Sequence, residues 1–470
     1  MNTSRTGQRI AITGAALNTN FGFDVSRVLE ALSSTESGFR PISNYKTTGC
    51  RVTMAGECPA VDTAALPDRK MQKVLRRKDL IAVTTATRAI INSNLITRTS
   101  EATATESNPN WVDPRRFGAF FGVGCTHIGD LVPYFEAVKA SAVAGKGEIN
   151  SAMFAELVMS TVNPIAVLQS LMNNALAYTT IGNNIRGVNS NFMQFNTSGL
   201  RALEEGCRMI RHGLADAVVV GGAAGPVEPF QMTEAWQMGR TSLRHADADS
   251  HVEVRPWDSE RSGCVLSEGA AFVVLESEAH AVRRRAEILG WLAGCASRGS
   301  AHFGPVEDAA RGSASETVEL AEGELNTASH SLNGSVRHAL SMAEATGADI
   351  GIIFGEGNGE LVRDEAEARL ISSVRRANAI TAPVWTSRGK LGESIEAGSM
   401  IDLVLLLESW RRGVKLPPVS GVRSPTEAAR AMGVAEMAVD PGTRCAVFVA
   451  GPWYGGSAAA IVAHPHFRAQ

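Results

Sequence analysis

The stretch from Asn191 to Gly222, NFMQFNTSGLRALEEGCRMIRHGLADAVVVGG, has the pattern of a strand, a sharp turn, a helix and a second strand. Such a turn lies at the N-terminus of the helix, where free backbone N–H groups and the positive end of the helix dipole point outward. This environment lowers the pKa of a thiol and supplies donors for an oxyanion, so it suits a nucleophile. The tip of this turn carries the amide of Asn196. The simpler interpretation is a strand–helix connection in which Asn196, Thr197 and Ser198 act as caps.

Three other glycine-bearing stretches carry residues that could do chemistry. FGEGNGELVRDEAEARL (354–370) has a Gly-rich turn of the kind that cradles phosphates, but its spacing is neither GxGxxG nor a Walker pattern, and its acidic residues would repel a phosphate. TSRGKLGESIEAGSMIDL (386–403) is a basic loop that enters an apolar helix. GPWYGGSAAAIV (451–462) has two aromatic residues before a Gly-Gly pair. Each of these stretches, taken alone, is typical of a structural turn.

Short apolar runs bounded by glycine predict the strands that position these turns: RIAITG, FGAFFGVG, ADAVVVGG, GAAFVVLE, DIGIIFGEG and CAVFVAG. Runs that are apolar on both faces are typical of sheets covered by helices on both sides. Helical patterns such as DLIAVTTATRAIINSNL and SGLRALEEGCRMIRHG lie between them. The alternation predicts an α/β protein with a central sheet. Two polar stretches, 97–116 and 311–335, are predicted to be surface insertions.

The composition excludes several classes of protein. The chain has 470 residues, of which 44% are hydrophobic, and a net charge of −3 with both signs mixed, which gives no indication of a nucleic-acid partner. Seven scattered cysteines without CxxC spacing are typical of a reduced protein. No signal peptide and no apolar run of about 18 residues is present, so we expect a cytoplasmic protein with no membrane span. No motif indicates a cofactor or a metal ion.

Together and in this order, the four stretches resemble the β-ketoacyl-(acyl carrier protein) synthases, or ketosynthases, over nearly the whole chain. RPWDSERSGCVLSEGAAFVVLE (255–276) is similar to the specific family block RPFD…RDGFV.GEGAG…LE. EGNGELVRDEAE has the spacing of HGTGT…D..E, SRGKLGESIEAGS that of K-S-x-x-G-H-x-x-x-A-A-G, and WYGGSA stands where the family has GFGGTN. The resemblance implies the thiolase-like five-layered αβαβα fold with two related halves, each with a mixed β-sheet. We expect the halves to be residues 1–280 and 281–470.

The resemblance carries the family's site positions onto residues of this chain. The cysteine and the two histidines of the catalytic triad fall on Asn196, Glu356 and Glu393. The remaining positions are the supporting lysine, the acidic pair, the gatekeeping aromatic and the two glycines after it, and they fall on Arg388, Asp364, Glu367, Tyr454, Gly455 and Gly456. The whole triad is therefore replaced, while the motifs around it persist.

These replacements remove the groups that condensation uses. Condensation needs a thiolate to hold the acyl chain, and an amide cannot form that thioester. It also needs two imidazole donors for the enolate, whereas ionised carboxylates at Glu356 and Glu393 only accept hydrogen bonds and would repel a malonyl carboxylate. Cys207 faces the core within its helix and Cys125 lies in another loop, so neither is expected to replace the missing thiol. We predict that the isolated chain does not load an acyl group.

The resemblance is to chain-length factors of type II polyketide systems, which lack the cysteine and commonly have glutamine there. Such subunits pair with an active ketosynthase and shape its acyl tunnel, which implies an active ketosynthase and an acyl carrier protein as partners. The strand at about 188–195 is then expected to pair across the dimer axis. Residues 154–159 are expected to line the partner's tunnel.

Two other functions stay open on the sequence alone. In one, Glu356 and Glu393 form a coupled acid–base pair for acyl transfer, hydrolysis or dehydration. In the other, the chain is a scaffold or a carrier-protein-binding module without a tunnel. A purely structural interpretation of the two glutamates is salt bridges with Arg388, Lys390 or Arg363.

Overall fold

The structure is a computed structural model that describes residues 9–59, 61–96, 108–124, 131–241, 252–303, 322–440, 442, 444–451 and 453–467. Its strands in these ranges are β1 (Ile10–Asn18), β2 (Arg40–Pro41), β3 (Met54–Ala55), β4 (Phe117–Val123), β5 (Ala142–Val143), β6 (Glu148–Ile149), β7 (Asn189–Phe192), β8 (Ala217–Ala224), β9 (Gly269–Ser277), β10 (Gly290–Phe303), β11 (Ile350–Phe354), β12 (Val384–Trp385), β13 (Cys445–Ala450) and β14 (Tyr454–Ala463).

The α-helices in the same ranges are α1 (Val25–Ser33), α2 (Arg77–Asn92), α3 (Leu131–Ser141), α4 (Ser151–Thr161), α5 (Ala166–Gln169), α6 (Asn174–Gly182), α7 (Ser198–Arg211), α8 (Pro229–Gln237), α9 (Glu278–Arg283), α10 (Glu322–Met342), α11 (Leu361–Asn378), α12 (Arg388–Leu391), α13 (Gly398–Arg412) and α14 (Glu427–Met432). All six apolar runs that the sequence predicts as strands are strands, because each is buried along its length.

The main sheet consists of two halves with the same strand arrangement. Its order is β12-β11-β13-β14-β10-β1-β9-β8-β4-β7, and the halves join where β1 pairs with β10 over Ile10–Ile12. The five strands of each half, counted in chain order, pair in the same way. The first strand pairs antiparallel with the fifth, and the fifth pairs antiparallel with the fourth. The fourth strand pairs parallel with the second, and the second pairs parallel with the third. The predicted pair of related halves, each with a mixed sheet, is confirmed.

Helices form the three layers that cover the two halves of the sheet. Helices α7 and α13 are central, since α7 contacts β4 and β8 of one half as well as β10 and β14 of the other, and α13 contacts β9 and β13. Helix α2 covers the outer face of the first half, and α10 covers the outer face of the second. This is the five-layered αβαβα arrangement. The helices α7 and α13 follow the third strand of their halves, so both begin beside the same central region.

The prediction that residues 311–335 form a surface insertion is wrong for part of that stretch. Residues 322–335 are not loose: they belong to α10, which buries Ala328, Leu332 and Val336 against β10 and β14. The serines that suggested a loop face inward and are satisfied, because Ser331 and Ser335 both hydrogen-bond to Ser457 of β14. The rest of that stretch, 311–321, and residues 97–107 of the other lie outside the described residues, as does Cys125.

Candidate functional site

The turn before α7 places Asn196 in the interior between the two halves. Residues 195–197 form a single 3₁₀ turn, and Phe195 takes a left-handed conformation with φ of 50°. The turn is held by Ser198, whose hydroxyl accepts from the Gln194 N–H at 2.8 Å, and by Thr197, whose hydroxyl donates to the Gln194 carbonyl at 2.9 Å. The interpretation of these residues as helix caps is wrong, since no side chain caps the first turn of α7.

Asn196 is 4% exposed and its amide is directed at the position of the family's first histidine. Its Nδ2 donates to Glu356 Oε1 at 3.0 Å, to Glu356 Oε2 at 2.8 Å and to the Gly451 carbonyl at 3.3 Å. Glu356 follows β11, and its Oε2 also accepts from the Gly451 N–H at 2.8 Å. Burial raises the pKa of the Glu356 carboxyl, while Arg388 and Arg363 oppose the shift. The structure thus joins two of the three predicted catalytic positions directly.

Arg388 connects these residues to Glu393. It begins α12, is 1% exposed, and its guanidinium lies 3.9 Å from Glu356, 3.5 Å from Glu393 and 3.5 Å from Asp402. It also donates to the carbonyl of Gly355 at 3.1 Å. The position of the supporting lysine therefore holds a cation among three buried carboxylates.

The interpretation of Glu356 and Glu393 as salt-bridge partners holds for one of the three cations that the sequence suggested. Arg388 forms the predicted contacts. Lys390 does not, because its Nζ donates to the carbonyl of Ser34. Arg363 lies 3.2 Å from Glu360, and its charge also lowers the pKa of Glu356 against the rise that burial causes.

The acidic pair at the start of α11 fixes the loop that carries Glu356. Asp364 accepts the N–H groups of Trp257, Asn358 and Gly359 at 2.7, 3.0 and 2.9 Å. Glu367 accepts the Glu356 N–H at 2.6 Å and the Trp257 indole N–H at 3.1 Å. Burial raises the pKa of Asp364 to about 6 and, with the carboxylates of Glu356 and Asp364, that of Glu367 to about 8. Both carboxylates thus hold the backbone around Glu356 in place.

Three residues of the site were not found from the sequence. Asn358 joins the two loops, since its Nδ2 donates to Glu393 at 2.6 Å and to Glu360 at 3.0 Å. Burial opposes ionisation of Glu360, but Arg240 and Arg363 lower its pKa to about 2. Trp453 is 3% exposed, and its Nε1 donates to Glu356 at 3.3 Å. The only sign of it in the sequence was the unusual aromatic pair before Gly455 and Gly456.

The gatekeeping position is described only by its backbone. Tyr454 begins β14, whereas its side chain lies outside the described part of the structure. Gly455 has φ of 85°, a conformation that favours glycine, and Gly456 pairs with Gly299 of β10. These residues begin β14, directly after Trp453.

The chemistry available to this arrangement is narrow. Its members are amides, carboxylates, guanidiniums and an indole, with no thiol or imidazole among the side chains described above. Cys207 is buried in α7 beside Cys295, away from the turn. Glu356 receives hydrogen bonds from an amide, a backbone N–H and an indole, so its oxygens are already occupied. Within the described residues no group of His, Cys, Asp and Glu side chains is arranged to hold a metal ion.

Comparison with protein-family models gives the family of the chain. Residues 7–281 match the N-terminal domain of β-ketoacyl synthases, and residues 310–422 match the C-terminal domain. The chain belongs to the β-ketoacyl synthase family. None of its described helices combines the length and the apolar character that crossing a membrane requires.

The relatives of this β-ketoacyl synthase family member include a polyketide synthase subunit and a 3-oxoacyl-[acyl-carrier-protein] synthase. It is 25% identical to the tetracenomycin polyketide synthase ketoacyl synthase alpha subunit of Streptomyces glaucescens, covering 97% of each chain. It is 24% identical to the 3-oxoacyl-[acyl-carrier-protein] synthase 2 of Coxiella burnetii, covering 89% of this chain and 90% of that one.

Solved structures share the fold. The ishigamide ketosynthase/chain length factor has a TM-score of 0.77 at 20% identity, with 97% of this chain and 99% of that chain covered. A type II polyketide synthase acyl-carrier protein in complex with its ketosynthase bound to the hexaketide has a TM-score of 0.71 at 18% identity, with the same coverage. The thiolase-like ketosynthase fold that the sequence predicts is confirmed.

Proposed function

We propose that this chain is a subunit of a type II polyketide or fatty-acid-like system that does not catalyse condensation and acts as a chain-length factor beside an active ketosynthase. The observation that carries the proposal is the state of the three catalytic positions. Asn196 and Glu356 hydrogen-bond to each other, and Glu356 and Glu393 both face Arg388. Side chains of these types, engaged in these contacts, offer neither a nucleophile nor an enolate donor.

A surface for the partner subunit supports the proposal. Strand β7 is the last strand of the sheet in the described residues, and its outer edge is left for pairing with another chain. Met193 and Phe195, which follow it, are about half exposed. An unpaired edge with apolar neighbours is a liability for a monomer, so we infer that a ketosynthase subunit covers it.

Helix α4 supports the same inference. It has the sequence SAMFAELVMST, and none of its residues is buried, although five of the eleven are large or medium apolar residues. Met159 is 85% exposed. Helix α4 contacts α3 but buries none of its apolar residues. Such an incompletely covered apolar helix is typical of an interface, and the proposal places residues 154–159 against the partner's acyl tunnel.

The alternative of an acid–base pair has less support. A general base must reach the proton that it removes, and a general acid must present its own. The oxygens of Glu356 are occupied by donors from Asn196, Gly451 and Trp453. We therefore favour the non-condensing subunit over an enzyme of altered chemistry.

The test is co-expression of this chain with and without an active ketosynthase and its acyl carrier protein. Light scattering is expected to show the mass of a one-to-one complex, whose interface we expect to exceed about 2,000 Å². Met159→Trp should shorten the polyketide or acyl product, because it adds bulk at the proposed tunnel. Met437→Trp is the matched control, since Met437 is 79% exposed and lies outside α4. A monodisperse monomer that leaves the ketosynthase's product length unchanged would refute the proposal.

A further inference from the structure

The indole of Trp453 occupies the interior of the site. It is almost fully buried, its Nε1 donates to Glu356 at 3.3 Å, and the Arg363 guanidinium lies 5.3 Å from its ring centroid. The ring packs so closely on Gly451 that a Cβ there would lie 2.7 Å from Nε1. In the family pattern GFGGTN, the residue before the gatekeeping aromatic is glycine. This chain places the largest natural side chain at that point.

The amide of Asn196 lies in direct contact with Glu356 and with the Gly451 carbonyl, so no space is left between them. In an acyl-transfer site the reacting carbon lies about 3 Å from the nucleophile and also about 3 Å from the donors that stabilise its charge, so the catalytic groups stand apart with room between them. Here Asn196 Nδ2 is 2.8 Å from Glu356 Oε2 and 3.3 Å from the Gly451 carbonyl. No heavy atom fits between groups that are already at hydrogen-bond distance.

We propose that Trp453 and Asn196 close this site physically, so that no acyl group enters it. The closure adds to the loss of the triad, since a nucleophile restored at the turn would still be covered by the indole. A consequence follows that rests on the proposed function: the growing acyl chain of the complex lies wholly in the site of the active partner. This chain then acts on that acyl chain from the interface alone.

Closure is testable without a catalytic assay. Asn196→Cys introduces a thiol at the turn, and iodoacetamide, a small neutral reagent, reports its accessibility by peptide mass spectrometry of the folded protein. Cys50, which is exposed, is the internal reference in the same sample. The introduced thiol is expected to react about a hundredfold more slowly than Cys50. Reaction within about tenfold of Cys50 would overturn the proposal.

Two further variants separate closure from electrostatics. A neighbouring carboxylate also slows a thiol by raising its pKa, so Glu356→Gln is added to Asn196→Cys, and the thiol should stay slow. Trp453→Ala in the same background should accelerate alkylation about tenfold or more, whereas Trp236→Ala, on α8, should not. Closure would be refuted if Glu356→Gln, without Trp453→Ala, accelerated alkylation of the introduced thiol. It would also be refuted if Trp453→Ala did not accelerate alkylation in a variant that keeps the wild-type circular dichroism spectrum.

The result is independent of the proposed function. If the thiol is protected but co-expression leaves product length unchanged, the closure stands and the chain-length-factor role fails. If the thiol reacts freely while Met159→Trp shortens the product, the role stands and the closure fails. In the second case the acyl chain has access to both subunits.

Discussion

Replacing Arg388 by methionine tests how the site is held together. Methionine preserves much of the apolar stem and removes the guanidinium from among Glu356, Glu393 and Asp402. At the 3.5 Å separation from Glu393 and Asp402, Coulomb's law with an effective dielectric constant of about 20 gives about 4–5 kcal/mol for each carboxylate. Removal of the arginine also relieves its own cost of burial, which offsets part of this loss. Broken buried ion pairs accordingly cost about 3–5 kcal/mol, and we expect that range at about pH 7.5.

The penalty should depend on pH in a definite direction. Burial raises the folded-state pKa of Glu356 and of Asp402, and the charge of Arg388 lowers it. Without the cation the pKa of these two carboxyls rises further, so the penalty is present above that pKa and is relieved as the pH falls. Neutralising a carboxyl with an ordinary pKa costs about 4 kcal/mol at pH 7.5 but about 1.6 kcal/mol at pH 5.5. We therefore expect Arg388→Met to lose only about 1–3 kcal/mol at the lower pH.

The measurement is the free energy of unfolding from urea titrations at the two pH values, followed by tryptophan fluorescence. Arg369→Met is the matched control, because that arginine is half exposed and pairs with Glu365 on the surface at 3.4 Å. It should change the free energy of unfolding by less than about 0.5 kcal/mol. An Arg388→Met protein within about 1 kcal/mol of wild type at pH 7.5, or an equal loss at both pH values, would refute the reasoning.

Three further predictions follow from the same contacts. Gly398→Ala should lower the free energy of unfolding by about 2 kcal/mol or more, because its Cβ would lie 2.2 Å from Arg388 Nη2; calorimetry checks this, and an unchanged melting temperature would contradict it. The free energy of unfolding of the wild type should rise as the pH falls from about 8 toward 5, because burial and neighbouring carboxylates raise the folded-state pKa of Glu367 to about 8. It should fall again below about pH 4.5, because Glu360 has a folded-state pKa of about 2 and is protonated first in the unfolded chain. A urea midpoint that does not change across this range would contradict this prediction. Asn196→Cys alone should give no condensation with acyl carrier protein thioesters, because both imidazoles are still absent, and product formation in a chromatographic assay would show otherwise.

Much of the fold could be predicted because it depends on local pattern. The runs that became β4, β8 and β9 are almost wholly apolar, and these strands are buried at every position, as a strand covered on both faces requires. The prediction failed where polar residues are buried in pairs. Ser331 and Ser457 satisfy each other across α10 and β14, and a partner 126 positions away leaves no local trace in the sequence.

The sequence by itself determined which groups stand at the catalytic positions, because motif spacing assigns them without coordinates. Asn196, Glu356 and Glu393 supply an amide and two carboxylates there, and we propose that they do not carry thioester chemistry of the family's kind. Only the tertiary structure decided what these groups contact. Arg388 and Lys390 lie on one short helix, yet two positions along a helix turn a side chain by about 200°, so the first enters the buried site and the second points to Ser34. The indole of Trp453 likewise reaches Glu356, 97 positions earlier in the chain. That contact depends on the packing of distant segments, which periodicity within one segment does not encode.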